Sequence, residues 1–581
     1  MHRRLPPTYA SLSLLVSLSL LLGTFPRISH AADPLYGESI RMPVGGTQNQ
    51  GMIAADDREA ASWGAEVLRK GGNAVDAAIA TAFAMSVTRP HFASIGGGGF
   101  MIFCPASKEC KALDFREKAP GAAKRDMYLR NGKADTNLSR NGALASGVPG
   151  NVAGWLQALE RFGSKSRASL LIRPIQMAER GVRVSTHTER AALERWGIMN
   201  AEARRIFGCG HLDHPCEVGS LLKQQDLAKT LREISKKGTQ GFYTGWVAEK
   251  IASGVQNAGG ILQIADLKDY QSETRAPLKG QFHGFEIVTM PPPSSGGVAL
   301  LQMLAFMDRA RDHRLLQNGP GAAQSLNAEA YAMSLAFADR AEHLGDPAFY
   351  PVPLAQLLDS HYLDERWKSF NPDHAHIAAG AGQTVTEPSH TTHLSVIDSM
   401  GNAVAMTITV NDNFGSGFVP PGTGVVMNNQ MDDFSAQPGV PNLFGLVGAE
   451  ANSVQPGKRP LSSMTPTIVR DSKGEVRIAI GAAGGPKIIT AVFQSLLNRL
   501  EYGMPLTDAV AAPRIHHQWK PETVLFEKLS FPFEVRESLK KSGYKTEESP
   551  RLGVVHAVER LPDHRIVGVP DPRGEGAAVG Q

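Results

Sequence analysis

The chain has 581 residues, 42% of them hydrophobic, enough to bury large cores. Its 60 basic residues nearly balance 56 acidic ones, and no basic run is interleaved with aromatics, which excludes nucleic acid as a partner class. This balance suits a small-molecule or peptide substrate.

The chain opens with Arg3 and Arg4, an apolar run from Leu12 to Leu22, and small residues at Ser29 and Ala31. This order predicts a secretory signal peptide over residues 1–31, and the run is too short to span a membrane. No second long apolar run follows, so a protein exported to a periplasm or secreted, with no membrane span, is expected.

Residues 56–90 predict two helices. The first stops at Gly71–Gly72. The second is capped by Asn73, carries Asp76 in its first turn and ends near Pro90. Val75, Ile79 and Phe83 recur at i, i+4 among alanines, the pattern of a closely packed, buried helix. The run SIGGGGFMIF lacks the Lys-Ser/Thr of a phosphate loop and opens no helix. It reads instead as backbone needing positive φ or close approach. MIFC and CKALDF predict a hairpin bounded by Cys104 and Cys110, and Arg116 follows in DFREKAP.

The four cysteines fall in two close pairs, and an oxidising compartment favours disulfides Cys104–Cys110 and Cys209–Cys216. In CGHLDHPC, the residues Cys209, His211, His214 and Cys216 form an alternative metal quartet. Their spacing is not that of a zinc finger, so a disulfide and no metal is expected.

Residues 150–370 read as helix-rich, interrupted at MPPPSSGG (290–297), and 371–390 as an exposed loop. HLSVID and AVAMTITV then alternate on either side of SMGN, a hairpin signal. If Asp398 faces Ala403 across a four-residue loop, Thr391 faces Val410. A slip of one residue puts it opposite Thr409. Either way Thr391, Thr409 and Asn411 gather at the open end. Threonines also simply favour strands. A threonine at a new N-terminus, however, carries its own base, an α-amine with a reference pKa of about 7.7–8.0. IAIGAAGGPKIITAVF reads strand, glycine turn, helix, and offers N–H donors at Gly484 and Gly485 for an oxyanion. NNQMDDFS and RPLSSM add polar groups that need partners wherever they are buried.

TTHLSVID, NNQMDDFSAQPGVPN, KRPLSSMTPTIV and GAAGGPKIIT resemble the small subunit of γ-glutamyltranspeptidases. GGNAVDAAIA, IGGGGFM, DFREKAP, MPPPSSGG and FADRAEHLGDP resemble the large subunit, in order and over nearly the whole mature chain. The resemblance implies an α+β fold, the four-layer αββα sandwich of N-terminal nucleophile hydrolases, built jointly by residues 32–390 and 391–581 as a heterodimer from one zymogen. It implies autocatalytic cleavage between His390 and Thr391. It makes Thr391 the nucleophile, Thr409 its hydrogen-bonding partner, and Gly484 and Gly485 the oxyanion hole. Arg116, Ser462 and Ser463 would hold the substrate α-carboxylate, and Asn411, Gln430 and Asp433 the α-amino group. Read alone, Arg116 is a structural ion pair with a neighbouring acid. The implied substrates are glutathione and other γ-glutamyl compounds, with water, amino acids or peptides as acceptors and no cofactor.

One position departs from the family. Bacterial members with a lid loop often carry tyrosine where this chain has Phe444, which has no hydroxyl to latch onto Asn411. His516 and His517 read as structural, since the amine already supplies the base. Two rivals accompany this reading: a glutaryl- or cephalosporin-type acylase of the same fold, against which Asp433 argues, and a non-catalytic periplasmic binding protein.

Overall fold

Two seven-stranded antiparallel sheets carry the structure, a computed structural model that describes residues 44–45, 50–106, 108–375 and 391–581. The expected signal peptide, and His390 with residues 376–389 of the expected loop, lie outside the described residues. The first sheet runs Ala577–Gly580, Met52–Ala55, Thr391–Ile397, Ala403–Thr409, Gly98–Cys104, Lys111–Phe115, Glu273–Arg275. The second runs Val44–Gly45, Ile566–Pro570, Val554–Arg560, Val476–Ala483, Thr467–Arg470, Phe285–Thr289, Leu278–Phe282. Each sheet combines strands from before residue 376 with strands from after residue 390.

Side-chain parity stacks the layers. Leu394 and Val396 join the core under the helices Arg58–Arg69, Ala74–Thr88 and Asn151–Phe162, and the Thr392 hydroxyl meets Met85 of the second helix. His393 and Ser395 point the other way, into the second sheet. The Ser395 hydroxyl donates to the His556 carbonyl at 3.0 Å, and a Cβ on Gly481 would sit 2.3 Å from the His393 ring. Helices Gly296–Asp312, Ala323–His343 and Lys487–Leu500 cover the outer face of the second sheet. The architecture is the four-layer αββα sandwich. Thr391 shares the parity of His393 and Ser395, so its side chain faces the space between the sheets.

The helix predictions hold. Asn73 and Asp76 form a reciprocal capping box at the start of Ala74–Thr88, and every residue of that helix is buried. MIFC and CKALDF pair antiparallel as predicted. The hairpin register is one residue from the four-residue-loop reading. Asp398 pairs with Asn402, Gly401 takes a φ of +86°, and the loop has three residues. Thr391 therefore stands opposite Thr409. Three strands between residues 273 and 289 were not anticipated in a region read as helical. Their hairpin turns on His283 and Gly284, both at positive φ, a two-residue turn whose signal was present in the sequence.

None of Gly96 to Gly99 lies at positive φ. The run serves close approach instead: a Cβ on Gly97 would sit 1.9 Å from the Thr409 carbonyl oxygen, and one on Gly99 2.2 Å from that of Thr407. Both cysteine pairs, Cys104–Cys110 and Cys209–Cys216, are disulfide-bonded. Among the described residues no helix is long and apolar enough to cross a membrane.

The Gly97 contact is with backbone, which cannot rotate away. Gly97→Ala is expected to cost ~3 kcal/mol by overpacking and to displace Thr409. A urea midpoint equal to that of the wild type would show that the strands do not approach this closely.

Candidate active site

Thr391 begins its strand, and Thr409 ends the strand beside it. Their hydroxyls lie 3.2 Å apart. The Thr409 hydroxyl also accepts from the Asn411 N–H at 2.9 Å. That bond requires the chain to reverse sharply after Val410, and Asn411 does so with a φ of +79°. Asparagine is among the few side chains that tolerate this region. Its own amide donates to the Asn429 carbonyl at 3.2 Å, which ties it to the segment bearing Gln430 and Asp433.

Arg116 is 1% exposed and paired with Asp433. It also donates to the carbonyls of Pro460 and Leu461, each at 3.2 Å, which fixes its guanidinium beside Ser462 and Ser463. The MPPPSSGG motif holds that segment from behind. The Ser462 N–H donates to the Pro293 carbonyl at 2.9 Å, and Ser295 returns its N–H and hydroxyl to the Ser462 carbonyl at 2.8 and 2.6 Å. Gln430 donates to Asp433 at 3.2 Å. Gly485 lies at the strand-to-helix turn with a φ of +58°, next to Gly484 at +134°.

These residues line one cleft: Thr391, Thr409, Asn411, Gln430, Asp433, Arg116, Ser462, Ser463, Gly485 and Phe444. Gly484 adjoins the cleft behind Gly485 without lining it, and the two disulfides lie elsewhere. The sequence reading missed Arg340 and the apolar wall of Leu446, Leu461, Met464 and Ile488. Arg340 stood inside the quoted FADRAEHLGDP. Nothing local distinguishes it from a solvated helix arginine until the fold turns it inward. Its Nε donates to the Ser295 hydroxyl at 3.1 Å.

The two adjacent aspartates do different work. Asp433 faces the cleft. Asp432 turns away, accepting from the Ser139 hydroxyl and from the Leu443 N–H at 2.9 Å. Burial pushes Asp432 up to about 6. Burial also raises Asp433, opposed by Arg116 and Arg340. Arg340 falls to about 10, again by burial, with Asp433 pulling it back up. His516 and His517 do not line the cleft, and burial holds them neutral, down to about 3 and about 4. His211, Asp213 and His214 bring ligand-type atoms within 4.8 Å of one another on the Cys209–Cys216 loop. The two sulfurs are committed to each other, so the Cys2His2 quartet does not form.

The Gamma-glutamyltranspeptidase family profile matches residues 60–581. The chain belongs to the γ-glutamyltranspeptidase family. It is 39% identical over 556 residues to the glutathione hydrolase proenzyme of Escherichia coli K12, covering 94% of this chain and 93% of that one. The crystal structure of cephalosporin acylase from Bacillus halodurans matches with a TM-score of 0.80 at 24% identity, covering 97% of this chain and 99% of that one. This is a likeness of fold. The crystal structure of Helicobacter pylori γ-glutamyltranspeptidase matches with a TM-score of 0.54 at 38% identity, covering 57% of this chain and 94% of that one. As a member of the γ-glutamyltranspeptidase family the protein is an enzyme, a γ-glutamyl transferase and hydrolase.

Glu117 lies fully buried behind Arg116, its carboxylate 3.7 Å from the guanidinium. Burial pushes it from the ordinary 4.5 up to about 8, further than Arg116 pulls it down. The folded state therefore holds a proton that the unfolded chain releases, and stability falls as pH rises from about 4.5 to about 8. Glu117→Gln removes this slope. Urea midpoints at pH 5 and pH 8 are expected to separate in favour of the variant at the higher pH. Parallel midpoints at both would mean that Glu117 is already ionised in the fold.

Proposed function

We propose that this is an exported γ-glutamyltransferase and glutathione hydrolase that cuts itself between His390 and Thr391 and then uses the new N-terminus as its catalyst. The observation that supports it best is the Thr391–Thr409 pairing at the edge of a cleft that also holds Arg116, Asp433, Ser462 and Ser463. In the self-cleavage, the Thr391 hydroxyl attacks the His390 carbonyl, the C–N bond breaks, and water opens the resulting ester. The products are residues 32–390 and 391–581, which stay together as a heterodimer.

In turnover the Thr391 hydroxyl attacks the γ-carbonyl of glutathione. Its own α-amine takes the hydroxyl proton and passes it to the leaving nitrogen of cysteinylglycine. Gly484 and Gly485 stabilise the oxyanion. Water or the amino group of an amino acid or peptide then opens the γ-glutamyl ester. The α-carboxylate of the substrate joins Arg116, Ser462 and Ser463, and its ammonium joins Asp433, Asn411 and Gln430. A zwitterion inserted this way turns the Arg116–Asp433 pair into two pairs, so each substrate charge meets an opposite charge.

Thr391→Ala is expected to give one uncut, folded chain on a denaturing gel, where the wild type gives two fragments and the smaller begins at Thr391. Maturation of the variant at the same bond would remove Thr391 from the role.

The acylase reading is separated by charge. A glutaryl group lacks the ammonium that Asp433 would meet. Asp433→Asn is expected to lower kcat/KM for a γ-glutamyl anilide by about thirty-fold to a few thousand-fold, the worth of ~2–5 kcal/mol for one broken buried charge pair. A glutaryl anilide should lose little, and self-cleavage should survive. Equal losses for both anilides would favour the acylase.

A further inference from the structure

Phe444 cannot hydrogen-bond Asn411 through its side chain, yet its ring closes over the cleft: a Cβ on Gly485 would lie 2.8 Å from it. The turn that carries it is largely self-contained. The Asn442 side chain accepts from the N–H of Phe444 and Leu446 at 3.0 and 3.1 Å, and the Asn442 N–H donates to the Leu446 carbonyl at 3.0 Å. Among the described residues, two hydrogen bonds tie this turn to the body. One is the Leu443 N–H to Asp432. The other is the Gln518 side-chain amide, which donates to the Phe444 carbonyl at 3.0 Å.

The second bond fixes a chain of donors and acceptors. A carbonyl only accepts, so the Gln518 nitrogen must face Phe444, and its oxygen must face His516, 2.9 Å away. That oxygen only accepts, so His516 carries its proton on Nε2. Its Nδ1 is then an acceptor and receives a hydrogen bond from the Thr490 hydroxyl at 2.8 Å, shorter than that hydroxyl's 3.2 Å contact with the Lys487 carbonyl. Thr490 belongs to the helix Lys487–Leu500, which starts just beyond Gly485. All three side chains are at least nine-tenths buried. Reversing any one orientation sets two acceptors, or two donors, against each other.

We infer that Gln518 is a positioning residue that latches the 442–446 turn, and with it Phe444, over Gly485 through a backbone carbonyl. The latch needs no tyrosine hydroxyl and does not depend on which side chain residue 444 carries. It ties the cover of the cleft to the helix that begins just after Gly485, the proposed oxyanion donor. The inference rests on the reading of the cleft as the γ-glutamyl site.

The experiment compares wild type with Gln518→Leu, which removes both bonds, and Gln518→Glu, which keeps the bond from His516 but sets a carboxylate oxygen against the Phe444 carbonyl. Neither touches Thr391 or Thr409, so both variants should mature into two fragments. KM for a γ-glutamyl anilide should rise about tenfold in each, with kcat changed less than about threefold. A protease should nick residues 438–448 faster than in the wild type, and Phe444→Tyr in the Gln518→Leu background should recover part of the KM. Wild-type KM and nicking rates in both variants would overturn the latch. So would a fall in kcat at unchanged KM that tracks a fall in Tm. The nicking comparison needs no substrate, so it decides the latch even where Asp433→Asn defeats the γ-glutamyl reading.

Discussion

Thr391 stands opposite Thr409, and the site is arranged around that register. Strand side chains alternate with a period of two, so a slip of one residue would send Thr391 to the helix face and Leu394 toward the second sheet. The register is therefore held by the apolar side chains that must face the helix Ala74–Thr88, and by Gly401, whose positive φ closes the three-residue loop. The hairpin is further clamped between Met52–Ala55 and Gly98–Cys104. Gly97 and Gly99 let the backbone carbonyls of Thr409 and Thr407 come nearer than any side chain would permit. The placement of one hydroxyl is thus a property of the whole core.

The polar end of the cleft obeys a different constraint. Arg116 and Asp433 are buried together, and a buried pair gains little stability over apolar residues of the same size. Its value lies in presenting two opposite charges at a fixed spacing. With Glu117 neutral behind it and Arg340 charged nearby, the cleft floor carries one more cation than anion. Asp432, one residue away, is spent on structure, anchoring Leu443 from below while Gln518 holds Phe444 from above. Consecutive aspartates thus serve the floor and the cover of the same cleft.

Much of this was legible in the sequence, and the rest has identifiable reasons. The helix at 74–88 declared itself through its cap and its alanines. The strand–glycine–helix order at 476–500 was readable because glycine punctuates the change of period. The hairpin was visible but its register was not, because a three-residue and a four-residue loop both fit SMGN until Asn402 is seen to pair with Asp398. The strands at 273–289 were hidden among helices because their turn, His-Gly, is a weaker signal than Asn-Gly or Asp-Gly. Arg340 and Gln518 were silent for a common reason. Each acts through a partner more than 40 residues away, Ser295 for one and Phe444 for the other, so no local pattern marks it.

The interleaving of strands has a consequence for the life of the molecule. Residues before 376 and after 390 supply neighbouring strands in both sheets, so neither piece of a severed chain can leave without exposing the apolar interior of both. Folding of the intact precursor is unimolecular, with its halves tethered at high effective concentration. Once the tether is cut, the same encounter becomes bimolecular between two sticky, half-built sheets. The scission thus makes the native state a one-way destination. Under the proposed self-cleavage the molecule uses the connection to reach its shape and then cuts it, and its endurance afterwards is set by how slowly it opens, not by how readily it can return.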